Sequence, residues 1–257
     1  MDRCWSRANP SIIKKKKKKK KKKKNNSPDY ITPCDFKEDF QSCVKEQILR
    51  SLPRFTKGVP ELNVPSLEPL HLDDIKIDQN GLKLVFTNSK LNGLSTSEMT
   101  HFALDIKDQQ FTLAFKGNMN LTAKYEVDGR ILILPIQGQG DALVEAEGIL
   151  VEIRCKLGFV NDTRGSHLKL LQPSYNYNIT KTTFTFANLF NGNKLLSEAT
   201  HKFANENWKQ IMDDIAPPVV KQIVRTGVKA INKFFNKVSI QRLIKNFDYS
   251  LRSFKHN

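Results

Sequence analysis

The sequence lacks the motifs on which common classes of enzymes depend. Its five histidines are scattered, with no HExxH motif and no cysteine at the spacing of a zinc site. It contains no G-x-S-x-G nucleophile elbow. Gly138 and Gly140 match only part of a dinucleotide-binding loop, and a strand turn or bulge is the simpler interpretation. We therefore predict a protein that is not an enzyme and that uses neither a metal nor a cofactor.

Long apolar runs and cysteines are also scarce. No run approaches the eighteen or so apolar residues of a membrane span, and residues 1–33 contain no apolar segment typical of a signal peptide. Of the four cysteines, Cys34 and Cys43 enclose eight residues. A disulfide there could stabilise the fold by about 2–3 kcal/mol, and such bridges persist in oxidising compartments. The same two cysteines could instead remain reduced.

Positive charge is abundant but unevenly spread. The net charge is +16, and residues 1–27 carry +12 of it, largely through eleven consecutive lysines at 14–24, which leaves +4 for the other 230 residues. Such a run repels itself and buries no apolar surface, so we predict a disordered Lys-rich segment over residues 1–33. The run could bind polyanions or direct nuclear import. Alternatively it is an artefact of an adenine-rich coding tract, since AAA encodes lysine and AAC or AAT encodes asparagine.

Two kinds of periodicity divide the rest of the chain. Over residues 35–55 apolar residues recur every four positions, which predicts a helix ended by Pro53 and Gly58. Over residues 75–186 apolar and polar residues alternate, as in "FTLAF" and "NMNLTAKY", with short turns between the runs. The segment "RILILP" is apolar on both faces and predicts a covered strand. The pattern as a whole predicts an antiparallel sheet of long strands.

The C-terminal part returns to helical spacing. Apolar residues recur at this spacing over residues 203–235, and Ser197 is the expected N-cap. Pro217 and Pro218 are expected to kink or break the helix. A nearly continuous helix over residues 196–235 would measure about 60 Å. A sheet and a helix of such length suggest that one wraps around the other.

Four N-x-S/T sequences match the acceptor site for N-glycosylation; one, at Asn25, lies in the Lys-rich segment, and three, at Asn120, Asn161 and Asn178, lie in the predicted domain. Asn120 and Asn178 each lie between two residues of an apolar strand face, so their side chains are predicted to point outward. Asn161 lies in a predicted turn. All three could accommodate a glycan, which favours a secreted protein.

Six features occur in order between about residues 34 and 245. They are the paired Cys34 and Cys43, "GVPELNVPSLEPL" from Gly58, "LNGLS" from Leu91, "YEVDGRILILPIQGQGD" from Tyr125, "FANLFNG" from Phe186 and "FANENWKQI" from Phe203. No single feature is diagnostic, but the co-linear set resembles the insect haemolymph juvenile-hormone-binding and takeout-like family.

The resemblance implies an α+β fold, an elongated roll in which a long curved antiparallel sheet wraps around a long C-terminal helix. It also implies a disulfide between Cys34 and Cys43 and an interior that holds a small apolar ligand, such as a juvenile-hormone-like terpenoid or a fatty-acyl molecule. Cys155 has no evident partner, and its position on an apolar strand face favours a buried free thiol over a second bridge.

These observations predict that residues 34–257 form one secreted, monomeric carrier domain, which binds and transports a small hydrophobic ligand without catalysis. Nucleic acid is not an expected partner of this domain. The alternative is an interaction protein that binds nucleic acid or anionic membrane through the lysine run.

The expected ligand contacts lie where the sheet meets the C-terminal helix. Phe184 and Phe186 share one strand face just before the chain enters that helix, and the helical segment carries Phe203, Trp208 and Ile211. We expect these five residues to form an apolar group at or beside the ligand cavity. Ordinary core packing is the alternative for each of them.

Overall fold

The computed structural model describes residues 31–252. The predicted disordered segment at 1–33, with the lysine run, lies outside this range except for its last three residues. The strands are β1 (Cys34–Asp35), β2 (Leu70–His71), β3 (Ile75–Gln79), β4 (Leu82–Asn92), β5 (Glu98–Asp105), β6 (Gln110–Ile131), β7 (Leu134–Asp162), β8 (Gly165–Asn178), β9 (Lys181–Phe186) and β10 (Ile244–Lys245). The helices are α1 (Phe40–Thr56), α2 (Lys194–Glu206), α3 (Trp208–Lys237) and α4 (Ile240–Leu243), with short 3-10 helices at Pro60–Leu62, Phe190–Gly192 and Tyr249–Arg252.

Strands β2 to β9 form one antiparallel sheet. In it β2, β4, β6, β7 and β8 are neighbours in that order, while β3, β5 and β9 pair with β4, β6 and β7. β6 and β7 are 22 and 29 residues long. Register shifts interrupt several pairings, such as the one between Gly117 and Met119, and bulges of this kind bend strands. Because the 30-residue α3 packs against β3, β8 and β9, the predicted α+β roll of a long curved sheet around a long C-terminal helix is confirmed.

Three amide side chains fasten the helices to strands at the edges of the sheet. Asn205 of α2 accepts from the Phe184 N–H at 2.7 Å and donates to its carbonyl at 3.3 Å. Asn232 of α3 makes the same pair of hydrogen bonds with Leu170, at 2.8 and 2.9 Å. Gln41 of α1 does so with Leu104. Each amide satisfies backbone groups that an edge strand would otherwise leave unpaired.

The boundaries of the C-terminal helices differ from those predicted. Asn193, and not Ser197, is the N-cap of α2, because the Asn193 side chain accepts from the Leu196 N–H at 3.2 Å. The helix is interrupted at Asn207, between α2 and α3, and not at the proline pair.

The two prolines lie inside α3 without ending it. Neither Pro217 nor Pro218 has an N–H to donate to the carbonyl four residues before it. The Asp214 carbonyl, which Pro218 leaves without a helical donor, accepts instead from Gln79 Nε2 at 3.2 Å. Asn80 Nδ2 also donates to the Asp214 carboxylate at 3.1 and 3.2 Å. The side chain of Gln79, at the end of β3, thus replaces a hydrogen bond that the helix loses at Pro218. The local sequence of the helix could not reveal this contact.

Three other local predictions need correction. The first helix, predicted over residues 35–55, begins only at Phe40 because Cys34–Asp35 pairs instead with β10, and it continues through Pro53 to Thr56. The segment "RILILP" spans the turn between β6 and β7, where Ile133 is 77% exposed. Asn161 lies in the last residues of β7 and not in a turn, although it is exposed, as are Asn120 and Asn178.

The apolar core consists of two clusters arranged along α3. One surrounds Phe86, Phe184 and Ile211 and also includes Ala230 and Phe234 from the last turns of α3. The other includes Leu157 and Val224 and also contacts α1. α1 contacts both clusters, the second through Phe40, Val44 and Ile48 and the first through Phe55.

Candidate functional site

A cavity of about 290 Å³ lies between α1, α3 and the inner face of the sheet. One wall is the inner face of α3, with Ile223, Gly227 and Ile231. The opposite wall is formed by the inward side chains of β5, β6 and β7, including Phe111 and Ile153. The volume is close to the lower limit for pockets that hold small molecules.

Helix α1 covers the cavity. Its residues Val44, Ile48, Leu52 and Phe55 line the space and are half-buried. α1 is held in place by the disulfide that the resemblance implies, between Cys34 and Cys43, with 5.8 Å between their Cα atoms. Gln41 adds the contacts to β5 described above.

Two of the segments that carry the family resemblance meet at the cavity wall. The carboxylate of Glu68 accepts from the N–H groups of Gly93 and Ser95, at 2.9 and 2.8 Å. This contact joins "GVPELNVPSLEPL" to "LNGLS", and Leu67 and Leu94 from these segments line the cavity. The segments therefore help to build the site.

The cavity lining contains no charged residue within the described chain, and its few polar groups are mostly satisfied internally. The Thr56 hydroxyl donates to the Leu52 carbonyl at 3.0 Å, and that of Ser97 donates to the Gly93 carbonyl at 2.8 Å. Gln47 Oε1 accepts from the Thr32 N–H at 2.9 Å. Ser51 differs, since it is 9% exposed and its Oγ has no hydrogen-bond partner within residues 31–252. A buried hydroxyl without a partner requires an explanation, and a hydrogen bond to a ligand would supply one.

Titratable groups with clearly shifted pKa values lie away from this lining. Burial raises the pKa of Tyr125 to about 12 and that of the Cys155 thiol to about 11. Cys155 is free and buried, as predicted. Neither side chain borders the cavity, so the site offers no poised acid, base or thiolate.

The five residues predicted as ligand contacts lie near the other end of α3. Phe184 and Phe186 are buried with ring centroids 6.3 Å apart, and Phe186 packs against Tyr125 at 4.7 Å. Ile211 is buried in the same cluster, and half-buried Trp208 packs against it. Phe203 of α2 is half-buried and does not belong to that cluster. None of the five lines the cavity beneath α1, so their contact with a ligand stays a prediction.

Ile211 borders a second space of about 270 Å³ at the start of α3. Its other lining residues include Asn80, Arg130, Asp213 and Asp214, so its walls carry charge of both signs. This composition suits water better than an apolar ligand.

Sequence reasoning missed α1 and Gly227 as parts of the site. The apolar stripe of α1 indicated a helix but not what the helix covers. Gly227 offered a clearer signal, because glycine inside an amphipathic helix is unfavourable and usually has a packing or functional reason. A Cβ atom placed there would meet no atom within 4 Å, since Gly227 faces the cavity.

Residues 31–252 contain neither a cluster suited to a metal ion nor a helix suited to a membrane. No three His, Cys, Asp or Glu side chains in that range are grouped so that they could hold a metal ion. No helix there combines the length and apolar character needed to cross a membrane.

Known proteins provide an independent comparison. The family model for haemolymph juvenile hormone binding protein matches residues 15–245. The circadian clock-controlled protein daywake of Drosophila yakuba is 31% identical over 205 residues, or 75% of this chain and 78% of that protein. A Schistocerca gregaria protein named as a candidate beta-carotene-binding protein is 25% identical over 105 residues, or 40% of this chain and 42% of that protein. The crystal structure of Epiphyas postvittana Takeout 1 matches with a TM-score of 0.78 and 28% identity, over 84% of this chain and 100% of that chain.

Proposed function

Because the chain belongs to the haemolymph juvenile hormone binding protein family, we propose that it binds and carries a small, uncharged lipophilic ligand in the cavity beneath α1. The observation that carries the proposal is the composition of this cavity. Within residues 31–252 its walls are apolar, without a charged residue, and the hydroxyl of Ser51 is the buried polar group of the lining left without a partner.

The lining favours a neutral ligand over an ionised one. A carboxylate brought into an apolar site without a partner charge loses its hydration and gains no compensating interaction. A terpenoid ester or a fatty-acyl ester avoids this cost, and its oxygen can accept a hydrogen bond from Ser51. A juvenile-hormone-like terpenoid or an uncharged fatty-acyl molecule fits this description, whereas a free fatty acid does not.

The energetics permit useful affinity without covalent chemistry. Burying roughly 400 Å² of apolar ligand surface contributes about 10 kcal/mol. Loss of translational and rotational freedom offsets at least ~4 kcal/mol of this. The remainder is about 6 kcal/mol at most, which corresponds to a Kd of roughly 40 μM. Binding alone, without catalysis, therefore suffices for a carrier.

The setting of this carrier is also a proposal. The Cys34–Cys43 disulfide and a family described as haemolymph proteins support a secreted carrier domain over residues 34–257, and its monomeric state stays a prediction. Exposure of Asn120, Asn161 and Asn178 is compatible with glycosylation at all three.

Substitutions at Gly227 test the proposed function. Leucine at this position fills the cavity, whereas alanine adds one methyl group where no atom lies within 4 Å. We expect Gly227→Leu to abolish displacement of the fluorescent probe N-phenyl-1-naphthylamine by methyl farnesoate. Gly227→Ala is the matched control and should retain binding, with a gain in stability of up to about 1 kcal/mol from helix propensity. Full binding by a folded Gly227→Leu protein would place the ligand elsewhere.

The alternative function, binding of nucleic acid or anionic membrane through the lysine run, concerns residues outside 31–252. Replacing lysines 14–24 by glutamine in the full chain tests it. If the alternative holds, this change abolishes polyanion binding and leaves displacement by methyl farnesoate intact.

A further inference from the structure

Positive charge within the described chain is concentrated at its C-terminal end. Residues 215–247 contain seven lysines and arginines and no aspartate or glutamate. The rest of residues 31–252 contains 21 lysines and arginines against 24 aspartates and glutamates. The folded part therefore has a small net charge in total, but its charge is unevenly distributed. Residues 215–247 are strongly positive, and the remainder is slightly negative.

Four of these cations form a continuous row on the outside of α3. Lys221, Arg225, Lys229 and Lys233 are all exposed and follow one another at intervals of four residues, which makes each the surface neighbour of the next. The row, called here the basic face of α3, extends for about 18 Å along the helix. Like charges at this spacing disfavour a helix, so helix stability does not explain the row.

No acidic side chain neutralises the basic face. None of the ion pairs found within residues 31–252 includes any of its four members. Asp73 approaches this part of α3, where Gln222 donates to its backbone carbonyl at 3.4 Å, but its carboxylate pairs with none of the four. The row is thus available to an anionic partner.

The same stretch of helix forms the wall of the ligand cavity. Between the four cations lie Ile223, Val224, Gly227, Val228 and Ile231, whose side of α3 faces the cavity. A single helix therefore separates the apolar cavity from the basic face.

We propose that the basic face of α3 docks on the surface of an anionic lipid bilayer. Lysine and arginine side chains are attracted to acidic headgroups, and a row of four along one helix can contact a planar surface. The choice of a bilayer over nucleic acid rests on the proposed function, because a carrier of lipophilic ligands must collect or deliver them at membranes. Docking would bring the cavity wall within one helix diameter of the headgroups.

Flotation with phospholipid vesicles tests the proposal. The parent protein is the full chain with lysines 14–24 replaced by glutamine, which removes the contribution of the lysine run. The test protein carries Lys221→Glu, Arg225→Glu, Lys229→Glu and Lys233→Glu in this background. The matched control carries Lys76→Glu, Lys83→Glu, Lys90→Glu and Lys116→Glu, which make the same change of charge at exposed positions of the sheet.

We expect the parent and the control to bind vesicles that contain phosphatidylserine, in a salt-sensitive manner, and not vesicles of phosphatidylcholine alone. The test protein should bind at least about tenfold more weakly. If it does not fold, the four corresponding glutamine substitutions replace it, since glutamine favours helix formation.

Three outcomes would overturn the proposal: equal binding by test protein and control, equal loss in both, or binding of the parent to duplex DNA without binding to anionic vesicles. Displacement of N-phenyl-1-naphthylamine by methyl farnesoate is measured in all proteins. It should be unchanged in the test protein, and its loss in the parent would reject the ligand cavity without bearing on vesicle binding.

Discussion

Ser51 combines features that rarely occur together, a position inside the wall of an apolar cavity and a hydroxyl without a partner. We expect Ser51→Ala to weaken binding of methyl farnesoate by about three- to tenfold, through loss of one net hydrogen bond. The free energy of unfolding without ligand should stay the same or rise by up to about 1 kcal/mol, because an unsatisfied polar group is removed. Probe displacement and urea unfolding measure the two effects.

Ser89 provides the matched control. It is 1% exposed, its hydroxyl also lacks a partner within residues 31–252, and it does not line the cavity. Ser89→Ala should therefore leave affinity for methyl farnesoate unchanged. A similar loss of affinity in both variants would remove Ser51 as the group that orients the ligand.

Trp208 tests the group of residues predicted from the sequence. It packs against the cluster around Phe184 and Ile211 and does not line the cavity beneath α1. We expect Trp208→Ala to lower the free energy of unfolding by about 3 kcal/mol, whether or not ligand is present. Affinity for methyl farnesoate should be retained. A sharp fall in affinity with little loss of stability would show that the ligand reaches this end of α3.

The elements of the fold depend on side chains that complete the edges of the sheet. Asn232→Ala would leave the N–H and carbonyl of Leu170 without the bonds of 2.8 and 2.9 Å that fasten α3 to β8. We expect a loss of about 2–3 kcal/mol in the free energy of unfolding, because two buried backbone groups become unsatisfied. Hydrogen exchange at the Leu170 amide should also accelerate.

Asn236, one turn later on α3, serves as the control for Asn232. It is exposed and accepts one hydrogen bond, from Arg164 at 3.2 Å. Asn236→Ala should change stability by no more than about 0.5 kcal/mol. Equal effects of the two substitutions would argue against a special role for the paired bonds to Leu170.

At the scale of the whole molecule, buried ionisable groups should limit stability in alkali. The pKa of Cys155 is raised by burial from 9.0 to about 11. The unfolded chain therefore loses this proton at lower pH than the folded chain, and the free energy of unfolding should fall as the pH rises from about 9 to about 11. Tyr125, raised from 10.0 to about 12, extends the fall to higher pH.

Urea unfolding across this pH range measures the effect. Cys155→Ala should reduce the slope between about pH 9 and pH 11, while its absolute stability falls because a buried side chain is shortened. An unchanged slope would show that Cys155 is not responsible. Thiol reagents should modify Cys155 only after unfolding, because both burial and its raised pKa suppress the reactive thiolate.

The sequence by itself determined the type of each long element. Alternation in β6 and β7 identified which side chains are buried, such as Met119, Leu121 and Tyr125, because a strand turns every second residue to the same face. Helical spacing in the last third likewise identified the buried side of α3, with Ile211 and Ile215. The resemblance to a known family then supplied the way in which sheet and helix combine.

Only the tertiary structure decided where the cavity lies. Aromatic residues at 184, 186 and 208 marked one end of α3, but β9 pairs with residues 142–147 of β7, away from the part of β7 that lines the cavity. α1, distant in sequence, covers the other end through Cys43 and Gln41. Within α3, the carbonyl that Pro218 leaves without a helical donor accepts a hydrogen bond from Gln79. Each of these features depends on contacts between residues far apart in the chain, and local periodicity carries no information about such contacts.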